Sequence, residues 1–184
     1  MARPVDRHRR SQTLARATDY VLTHGLADLS LRPLASALDT STRMLLYDFG
    51  SKERLISEIL AEARRRLAEL YATNLDTGAL SRSDTVHAIW TWLTAPGQAP
   101  YLRLFFQVHV DAMARPDAYT DSGRPLITDW LGFLGSDVRA DRLDPTTATL
   151  VIATIRGLLL DRFTTNDPAR TDQALARFTQ LISD

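Results

Sequence analysis

The stretch LSLRPLASALDTSTRMLLYDFGSKERL, residues 29–55, predicts two short helices joined by a tight turn and followed at once by a third helix. Ser30 is a candidate N-cap of the first helix, and Pro33 falls in its first turn, where a missing N–H does no harm. The break comes at Asp39, and the second helix is predicted over residues 41–48. Such a pair is either a helix-turn-helix, whose second helix can enter a DNA major groove, or an ordinary αα-corner of a helical protein. The spacing alone fits both.

The composition is typical of a globular protein with a real core, and it excludes several classes of chemistry. The chain has 184 residues, of which 45% are hydrophobic and 24% charged, and it has no Cys. Disulfides, thiolate zinc sites and cysteine nucleophiles are therefore excluded, and the reducing cytoplasm is the predicted location. No apolar run approaches the roughly 18–20 residues that span a bilayer, and the Arg-rich N-terminus lacks the apolar stretch of a secretory signal. No membrane partner is predicted.

The net charge of zero hides an asymmetry along the chain. Residues 1–66 hold 12 Lys/Arg against 8 Asp/Glu, a balance of +4, whereas residues 67–184 hold 10 against 14, a balance of −4. A positive N-terminal third suits a polyanion partner at one end of the chain, although charge also fluctuates along sequences without any functional meaning.

The N-terminal third is predicted to form a three-helix headpiece. Residues 1–10 carry four arginines against one aspartate, which predicts either a flexible arm that reaches DNA or a solvated terminus. A helix over residues 11–25 ends at Gly25 and packs on the two-helix unit. A long helix over residues 52–74 follows, and its arginine run at 64–66 is either a solvated face or a DNA contact.

The remainder of the chain is also predicted to be helical, which makes this an all-α protein of about nine helices. Apolar periodicity predicts helices over residues 84–93, 101–114, 124–138, 144–163 and 169–183. Asp144 followed by Pro145 is a typical helix start. Residues 148–160 are apolar nearly all round, so one side should pack within the chain and the other on a second subunit.

The sequence contains none of the motifs that carry common enzyme chemistry. It has no Gly-rich phosphate loop, no HExxH metal pair and no nucleophile–base motif. The four His residues are scattered, so no catalytic residue, metal site or cofactor is predicted. The residues leave open a DNA-binding protein and a helical interaction or adaptor protein, with a small helical enzyme as a weaker alternative.

Three runs of the headpiece resemble the tetracycline-repressor (TetR) family of bacterial transcriptional regulators. They are LSLRPLASAL, TSTRMLLYDF and FGSKERL, within residues 29–55, and the last is far more specific than a generic helix-turn-helix. The close match covers roughly residues 11–60, and beyond it the resemblance lies in the helical architecture alone.

The resemblance implies a homodimeric, ligand-responsive regulator. Residues 1–50 would form the helix-turn-helix DNA-binding domain, and residues 51–184 a helical ligand-binding and dimerisation domain. Each subunit would present its recognition helix to one half of a near-palindromic operator in double-stranded DNA. The last two helices of each subunit would form the dimer interface. Repression, with release by a small-molecule effector, is the usual mode of proteins that resemble this one.

The resemblance also implies which side chains contact DNA. They are Arg32 at the start of helix two, Ser41, Thr42 and Arg43 at the front of the recognition helix, Tyr47 near its end, and Lys52 at the start of helix four. Arginine can read guanine with two hydrogen bonds, whereas a lysine at a helix N-terminus holds phosphate without choosing sequence.

The sequence departs from the family pattern at several positions. Asp39 stands where the turn usually has Gly, and we expect it to adopt the left-handed conformation. Thr40 replaces the usual apolar residue, and Leu46 stands where Tyr is usual, with Tyr47 next to it. Either position can therefore correspond to the aromatic phosphate contact. Asp48 is an acid close to the DNA-facing surface, and we expect it to cap a helix or to pair within the protein.

The predicted ligand-binding residues are Trp90, Phe105, Phe106, His109, Met113, Trp130 and Arg156. Aromatic and thioether side chains at helical spacing are more often plain core than ligand contacts. Arg156 interrupts an apolar stretch, and a buried cation needs a partner, which could be Asp129, an acid across the dimer or a ligand anion. A largely apolar pocket suits a hydrophobic or amphipathic effector.

Overall fold

The computed structural model describes residues 7–27, 29–75, 80–115 and 144–182. The helices in these ranges are α1 Arg7–His24, α2 Leu31–Ala37, α3 Thr42–Phe49, α4 Lys52–Asn74, α5 Arg82–Thr94, α6 Ala99–Ala114, α7 Pro145–Thr165 and α8 Pro168–Leu181, and the turn Pro96–Gln98 is 3₁₀. No strand occurs within the described ranges, which confirms the predicted all-α fold class, and eight helices are close to the predicted number. The helix predicted over residues 124–138 lies outside these ranges. None of the described helices is long and apolar enough to cross a membrane.

The chain divides into two compact units. The first contains Met1–Leu67 and Pro100–Ile127, and the second contains Ala68–Ala99 and Thr128–Asp184. Through its described residues, the first unit holds α1 to α3 and most of α4 and α6, and the second holds α5, α7 and α8. The functional boundary after residue 50 stays a prediction.

The first unit is organised by an apolar core that the three N-terminal helices share. Ala17 and Val21 of α1, Leu34 of α2, and Leu45 and Phe49 of α3 are each at most 1% exposed. Each helix thus buries one stripe against the other two. Burial of a large apolar side chain stabilises by about 1.5–3 kcal/mol, which offsets the low intrinsic stability of helices as short as α2 and α3.

The first helix begins earlier than predicted. It starts at Arg7, so the expected flexible arm is wrong for residues 7–10. The physical reason is that Arg9 and Arg10 pair with carboxylates of α3 and α4, which fixes the first turn of α1 in place.

The caps of the next two helices also differ in detail from the prediction. Ser30 has an extended backbone before α2, but its side chain makes no capping hydrogen bond, so the predicted cap is wrong. The recognition helix starts at Thr42 because Ser41 is its N-cap, with an Oγ that accepts a hydrogen bond from the N–H of Met44 at 3.2 Å.

The connection between α1 and α2 needs a glycine for two reasons. Gly25 has φ = +79°, which confirms the predicted helix stop, and a Cβ there would lie 2.8 Å from Nε2 of Gln107 on α6. The amide of Gln107 packs here because its Oε1 accepts the N–H of Leu26 at 3.1 Å. The loop is therefore held by α6 within the first unit.

The arginine run of α4 makes ion pairs inside the first unit. Arg66 donates to Glu62 at 2.8 Å and to Asp19 of α1 at 2.5 Å, and its Nη2 reaches the carbonyl of Ala15 at 3.1 Å. Arg65 pairs with the same Glu62 at 2.8 Å. Arg66 thus stabilises the packing of α4 on α1, a use that neither sequence interpretation included.

The second unit is tied together by one carboxylate that joins three helices. Asp172 of α8 accepts the indole N–H of Trp90 on α5 at 2.7 Å and a guanidinium N–H of Arg162 on α7 at 2.8 Å. The Arg162 guanidinium also lies 5.7 Å from the centroid of the Trp90 ring. Trp90 can be buried because its only polar hydrogen is satisfied.

The helix α7 has two apolar faces with different surroundings. The helix begins at the predicted residue, because Asp144 is its N-cap. Oδ1 of Asp144 accepts hydrogen bonds from the N–H groups of Thr146 and Thr147 at 2.9 and 3.1 Å. Its inner face is the buried set Ala148, Val151, Ile155 and Leu159. Its outer face is the exposed set Leu150, Ala153, Gly157 and Leu160.

We expect Glu62→Gln to lower the stability of the protein at neutral pH and to have little effect in acid. The hydrogen bond from Arg65, with that from Arg66, holds the pKa of Glu62 at about 2, below its usual 4.5. A lowered folded-state pKa adds stability that is complete above the unfolded-state value and is lost as the pH falls towards about 2. Urea unfolding at pH 7 should show a loss of about 1–2 kcal/mol.

The control for this experiment is Glu69→Gln, an exposed carboxylate on the same helix, which should change stability much less. The difference between the Glu62 variant and the wild type should shrink steadily below the usual glutamate pKa. An equal loss in neutral and acidic buffer would show that the ionised carboxylate is not what stabilises the packing.

Candidate nucleic-acid interface

The helices α2 and α3 form a helix-turn-helix whose turn is closed by backbone hydrogen bonds. The N–H of Thr40 donates to the carbonyl of Ala35 at 2.9 Å, and the N–H of Asp39 donates to that of Ser36 at 3.2 Å. Asp39 adopts φ = 54°, which confirms the left-handed conformation expected at the position where a glycine is usual.

The side chains predicted to contact DNA lie at the surface of the first unit. The exposed ones are Arg32, Ser41, Thr42, Arg43 and Tyr47, and Lys52 is half-buried. Arg43 and Tyr47 are four residues apart on α3 and so share one face of that helix. Within the described ranges, Arg32, Arg43 and Lys52 make no hydrogen bond or salt bridge. Their charges are therefore available to an anionic partner.

The end of the recognition helix exposes both positions that can correspond to the aromatic phosphate contact. Leu46 is 41% exposed and Tyr47 is 46% exposed, whereas the neighbouring Leu45 is buried. Leucine has no polar atom to donate, so a hydrogen bond from this corner to a phosphate can come only from the Tyr47 hydroxyl.

The recognition helix also carries a buried acid. The side chain of Asp48 is only 2% exposed, and its Oδ1 accepts from Nη2 of Arg9 at 2.7 Å. The backbone carbonyl of Asp48 accepts from Nε of Arg10 at 2.9 Å. A buried carboxylate needs such a partner, because leaving the charge unpaired costs several kcal/mol. The expectation that Asp48 pairs within the protein is confirmed.

A second ion pair joins α1 to α4 beside the first. Nη2 of Arg10 lies 2.6 and 2.7 Å from the two carboxylate oxygens of Glu58, and the guanidinium sits 4.6 Å from the centroid of the Phe49 ring. Sequence reasoning missed both ion pairs, because their partners are 39 and 48 residues apart and no helical spacing connects them.

The start of α4 is arranged to favour an anion. Gly50 turns the chain with φ = +83°, and Oγ of Ser51 accepts the N–H of Arg54 at 3.1 Å. Lys52 stands in the first turn, where the remaining backbone N–H groups add to its positive charge. The backbone N–H of Glu53, with a hydrogen bond to Ser51, holds the pKa of the Glu53 carboxyl below its usual value.

The predicted ligand-binding residues of the first unit form an aromatic group on α6. Phe105 is buried, Phe106 and His109 are half-buried, and Met113 is 84% exposed. The centroid of the Phe105 ring lies 4.0 Å from that of His109 and 5.2 Å from that of Phe106. The three rings therefore pack together, as core residues also do, and their role in ligand binding stays a prediction.

The other predicted ligand-binding residues belong to the second unit. Trp90 is 4% exposed and bonded to Asp172, as described above. Arg156 is half-buried, and burial lowers the pKa of its guanidinium. Trp130 lies outside the described residues. The contacts of Trp90 are those of a core residue, and its assignment to a pocket stays a prediction.

Solved structures with this fold cover nearly the whole chain. The multidrug binding protein EbrR complexed with ethidium has a TM-score of 0.74 and 25% sequence identity, over 96% of this chain and 99% of that chain. EbrR complexed with proflavin has a TM-score of 0.73 and 25% identity, over 94% and 99%. The TetR-family member SCO1917 from Streptomyces coelicolor A3 has a TM-score of 0.71 and 26% identity, over 94% and 97%. No protein-family model matches the sequence, and no curated protein matches it.

The helix-turn-helix with its exposed cations, in a fold shared with these proteins, defines a DNA-binding transcriptional regulator. In fold and in about a quarter of its residues the chain is similar to TetR-family transcriptional regulators such as SCO1917. These structural neighbours are regulators and not enzymes.

We expect Asp39→Gly to stabilise the helix-turn-helix and Asp39→Val to destabilise it. The strain of a non-glycine residue at φ = 54° is of order 1 kcal/mol, which glycine relieves and a β-branched residue increases. Urea unfolding should show the glycine variant up to about 1 kcal/mol more stable and the valine variant about 1–2 kcal/mol less stable.

Ser36→Gly, at an exposed position inside α2, is the matched control, because it introduces the same flexibility without relieving strain. It should lose stability. A comparable loss from Asp39→Gly would contradict the strained turn.

Proposed function

We propose that the chain is a homodimeric repressor that binds a near-palindromic operator in double-stranded DNA and leaves it when a small hydrophobic or amphipathic molecule binds. The observation that supports operator binding best is the distribution of charge on the headpiece. Arg32 and Arg43 are exposed without hydrogen-bond or ion-pair partners among the described residues, and the half-buried Lys52 makes no hydrogen bond there. The buried Asp48 of the same helix as Arg43 is neutralised by Arg9. A partner with closely spaced negative charges fits this surface.

The roles of these side chains follow from their positions. Arg43 lies in the first turn of α3, the part of a recognition helix that reaches base edges, so it reads sequence together with Ser41 and Thr42. Lys52 at the start of α4 and Tyr47 at the end of α3 bind phosphates and fix the register of the complex. Arg32, in the first turn of α2, contacts the DNA strand next to the one that α3 reads.

The outer face of α7 supports a dimer through the last two helices. Leu150 is 53% exposed and Leu160 is 48% exposed, and Ala153 and Gly157 lie between them on the same face. A Cβ added at Gly157 would meet no atom within 4 Å, so a second helix could approach closely there. Leu181 of α8 is 63% exposed and extends the apolar surface available to a second subunit. A paired surface of this kind matches a two-fold operator.

The effector is proposed from the fold and from a neighbour. EbrR is a multidrug binding protein that has been crystallised with proflavin and with ethidium. These two compounds are therefore the first probes of release from DNA, and the aromatic group on α6 is the proposed contact region. Operator DNA as the partner implies that the regulator acts in the cytoplasm.

We expect Arg43→Ala to relax sequence preference and Lys52→Ala to weaken binding to all sequences alike. Operator-like duplexes are first selected with the wild-type protein from a random library, and binding to selected and unselected duplexes is then titrated by mobility shift. The arginine variant should lose about 1–3 kcal/mol of discrimination at the base pairs it contacts. The lysine variant should leave discrimination intact and reduce the salt slope by about 1 for each subunit.

Both side chains lie at the surface without hydrogen bonds in the described part of the chain, so thermal unfolding of the two variants should match the wild type. Addition of proflavin or ethidium to the wild-type titration tests release. If the wild type showed no salt-dependent duplex binding, the operator proposal would fail and an adaptor role would be favoured.

We expect Leu150→Glu and Leu160→Glu to convert the dimer into a monomer. A charge placed in the centre of an apolar interface must be buried without a partner or excluded by dissociation. Sedimentation velocity should show half the mass of the wild-type species, with loss of tight operator binding and retained helicity by circular dichroism. Thr91→Glu, at an exposed position of α5, is the control and should remain dimeric. Dimers of unchanged mass in both leucine variants would exclude this face as the interface.

A further inference from the structure

A groove lies beside the recognition helix in the first unit. It is lined by Arg7, Arg10 and Ser11 of α1, by Tyr47 and Asp48 of α3, and by Arg54 of α4. We call it the basic groove. Tyr47 is one of the predicted DNA contacts. Arg7 and Arg10 lie in the stretch that the sequence predicts as either a DNA-reaching arm or a solvated terminus, whereas Ser11 and Arg54 have no predicted DNA role.

The two acids at the groove are already neutralised. Asp48 pairs with Arg9 at 2.7 Å, and its side chain is almost fully buried. Glu58 accepts two short hydrogen bonds from Arg10, at 2.6 and 2.7 Å. These pairs leave neither of the two carboxylates uncompensated towards an anion that approaches the groove.

The remaining cations of the groove are directed towards solvent. Arg7 is exposed and makes no hydrogen bond or ion pair with the described residues. The side chain of Arg54 is 72% exposed, and its nearest acid, Glu58, is 3.6 Å away and already bound to Arg10. An exposed pair at that distance is worth little, so Arg54 can exchange it for a better anion at small cost.

The basic groove continues the face of α3 that carries the proposed reading residue. Arg43 and Tyr47 lie one turn apart on that face, and Tyr47 also lines the groove. A duplex seated on the front of α3 therefore continues past Tyr47 towards Arg7 and Arg54. The chemical group that a duplex presents outside its recognised bases is the phosphodiester of its backbone.

We propose that the basic groove is a second backbone-phosphate site, in which Arg7 and Arg54 bind a phosphodiester of the strand that flanks the recognised bases. The inference rests on the proposed operator binding, because it needs a duplex on α3. The Tyr47 hydroxyl is a neutral donor at the same site. Arg9 and Arg10 are positioning residues, which neutralise the acids and hold α1 against α3 without touching the phosphate.

The test compares full-length wild type with Arg7→Ala, Arg54→Ala and the double variant in duplex titrations at several NaCl concentrations. Each neutralised phosphate contributes about 0.9 to the slope of log K against log [salt]. The two arginines share one phosphodiester, so the double variant should lose about 0.9 per subunit. Sequence preference, measured by selection from a random duplex library, should not change, because phosphate contacts read no bases. Arg54→Lys keeps the charge and should keep most of the slope.

Flanking length provides a second, independent measurement. Duplexes trimmed to the selected site are compared with duplexes extended by half a helical turn on each side. The wild type should bind the extended duplexes more tightly, and the double variant should lose that gain. Arg177→Ala is the control, because it removes the same charge from an exposed position of α8. It should retain both the salt slope and the gain in affinity for extended duplexes.

The outcomes separate this inference from the proposed function. If the wild type binds duplexes, and the double variant keeps both the salt dependence of its affinity and the tighter binding of extended duplexes, the groove proposal alone is overturned. If the wild type binds no duplex, operator binding is overturned with it. If the double variant loses only binding of inorganic phosphate, measured by calorimetry, and keeps its gain from flanking DNA, the groove takes free phosphate and the proposal fails. Thermal unfolding of each variant verifies that the headpiece is folded.

Discussion

The buried carboxylate of Asp48 is the constraint on which the headpiece depends. An aspartate on the inner face of a recognition helix can stay ionised only if a cation reaches it, and Arg9 from the first turn of α1 does so at 2.7 Å. Arg10 then binds the carbonyl of the same residue and the carboxylate of Glu58, so α1, α3 and α4 meet at one cluster. The orientation of the recognition helix is thus set partly by charge, in addition to the packing of Phe49 and Leu45 beneath it. The first turn of α1 is part of the reading unit.

This cluster divides the cations of the headpiece into two groups with different functions. Arg9, Arg10 and Arg66 are held by acids and stabilise helix packing. Arg32 and Arg43 have no such partner among the described residues and remain available to DNA. The modest positive balance of the N-terminal third therefore understates the organisation of the surface, because four of the acids that lower the count are paired with arginines inside the unit. These acids are Asp19, Asp48, Glu58 and Glu62. Where the charges lie matters more for binding than how many there are.

Local chemistry made much of this predictable from the sequence, and its limits are physical. The left-handed Asp39, the Asp144 cap and the stop at Gly25 each depend on the few residues around them, and all three were expected. The pairs of Arg9 and Arg10 were not, because their partners are brought close only by the packing of three helices. The arginine-rich start of the chain consequently suggested an arm, whereas residues 7–10 form the first turn of a helix. Exposure of the residues predicted to contact DNA followed from helical periodicity, but the hydrogen bonds and ion pairs of the headpiece could be learned only from the fold.

The helix α7 shows how a sequence pattern can be correct and still incomplete. Apolar residues all round a helix indicate that every side must be covered, but periodicity does not distinguish a neighbour in the same chain from one in another. The structure separates the two sides: Val151, Ile155 and Leu159 are buried within the second unit, and Leu150 and Leu160 remain about half exposed. Exposed leucines carry an unfavourable hydration free energy of roughly 25 cal/mol for each Å² that burial would remove. Ala153 and Gly157 between them present little side-chain bulk to an approaching helix, so the outer face is shaped for contact between helices. The same apolar sequence thus supplies two requirements of the proposed dimer, a folded subunit and an exposed apolar surface for a second copy.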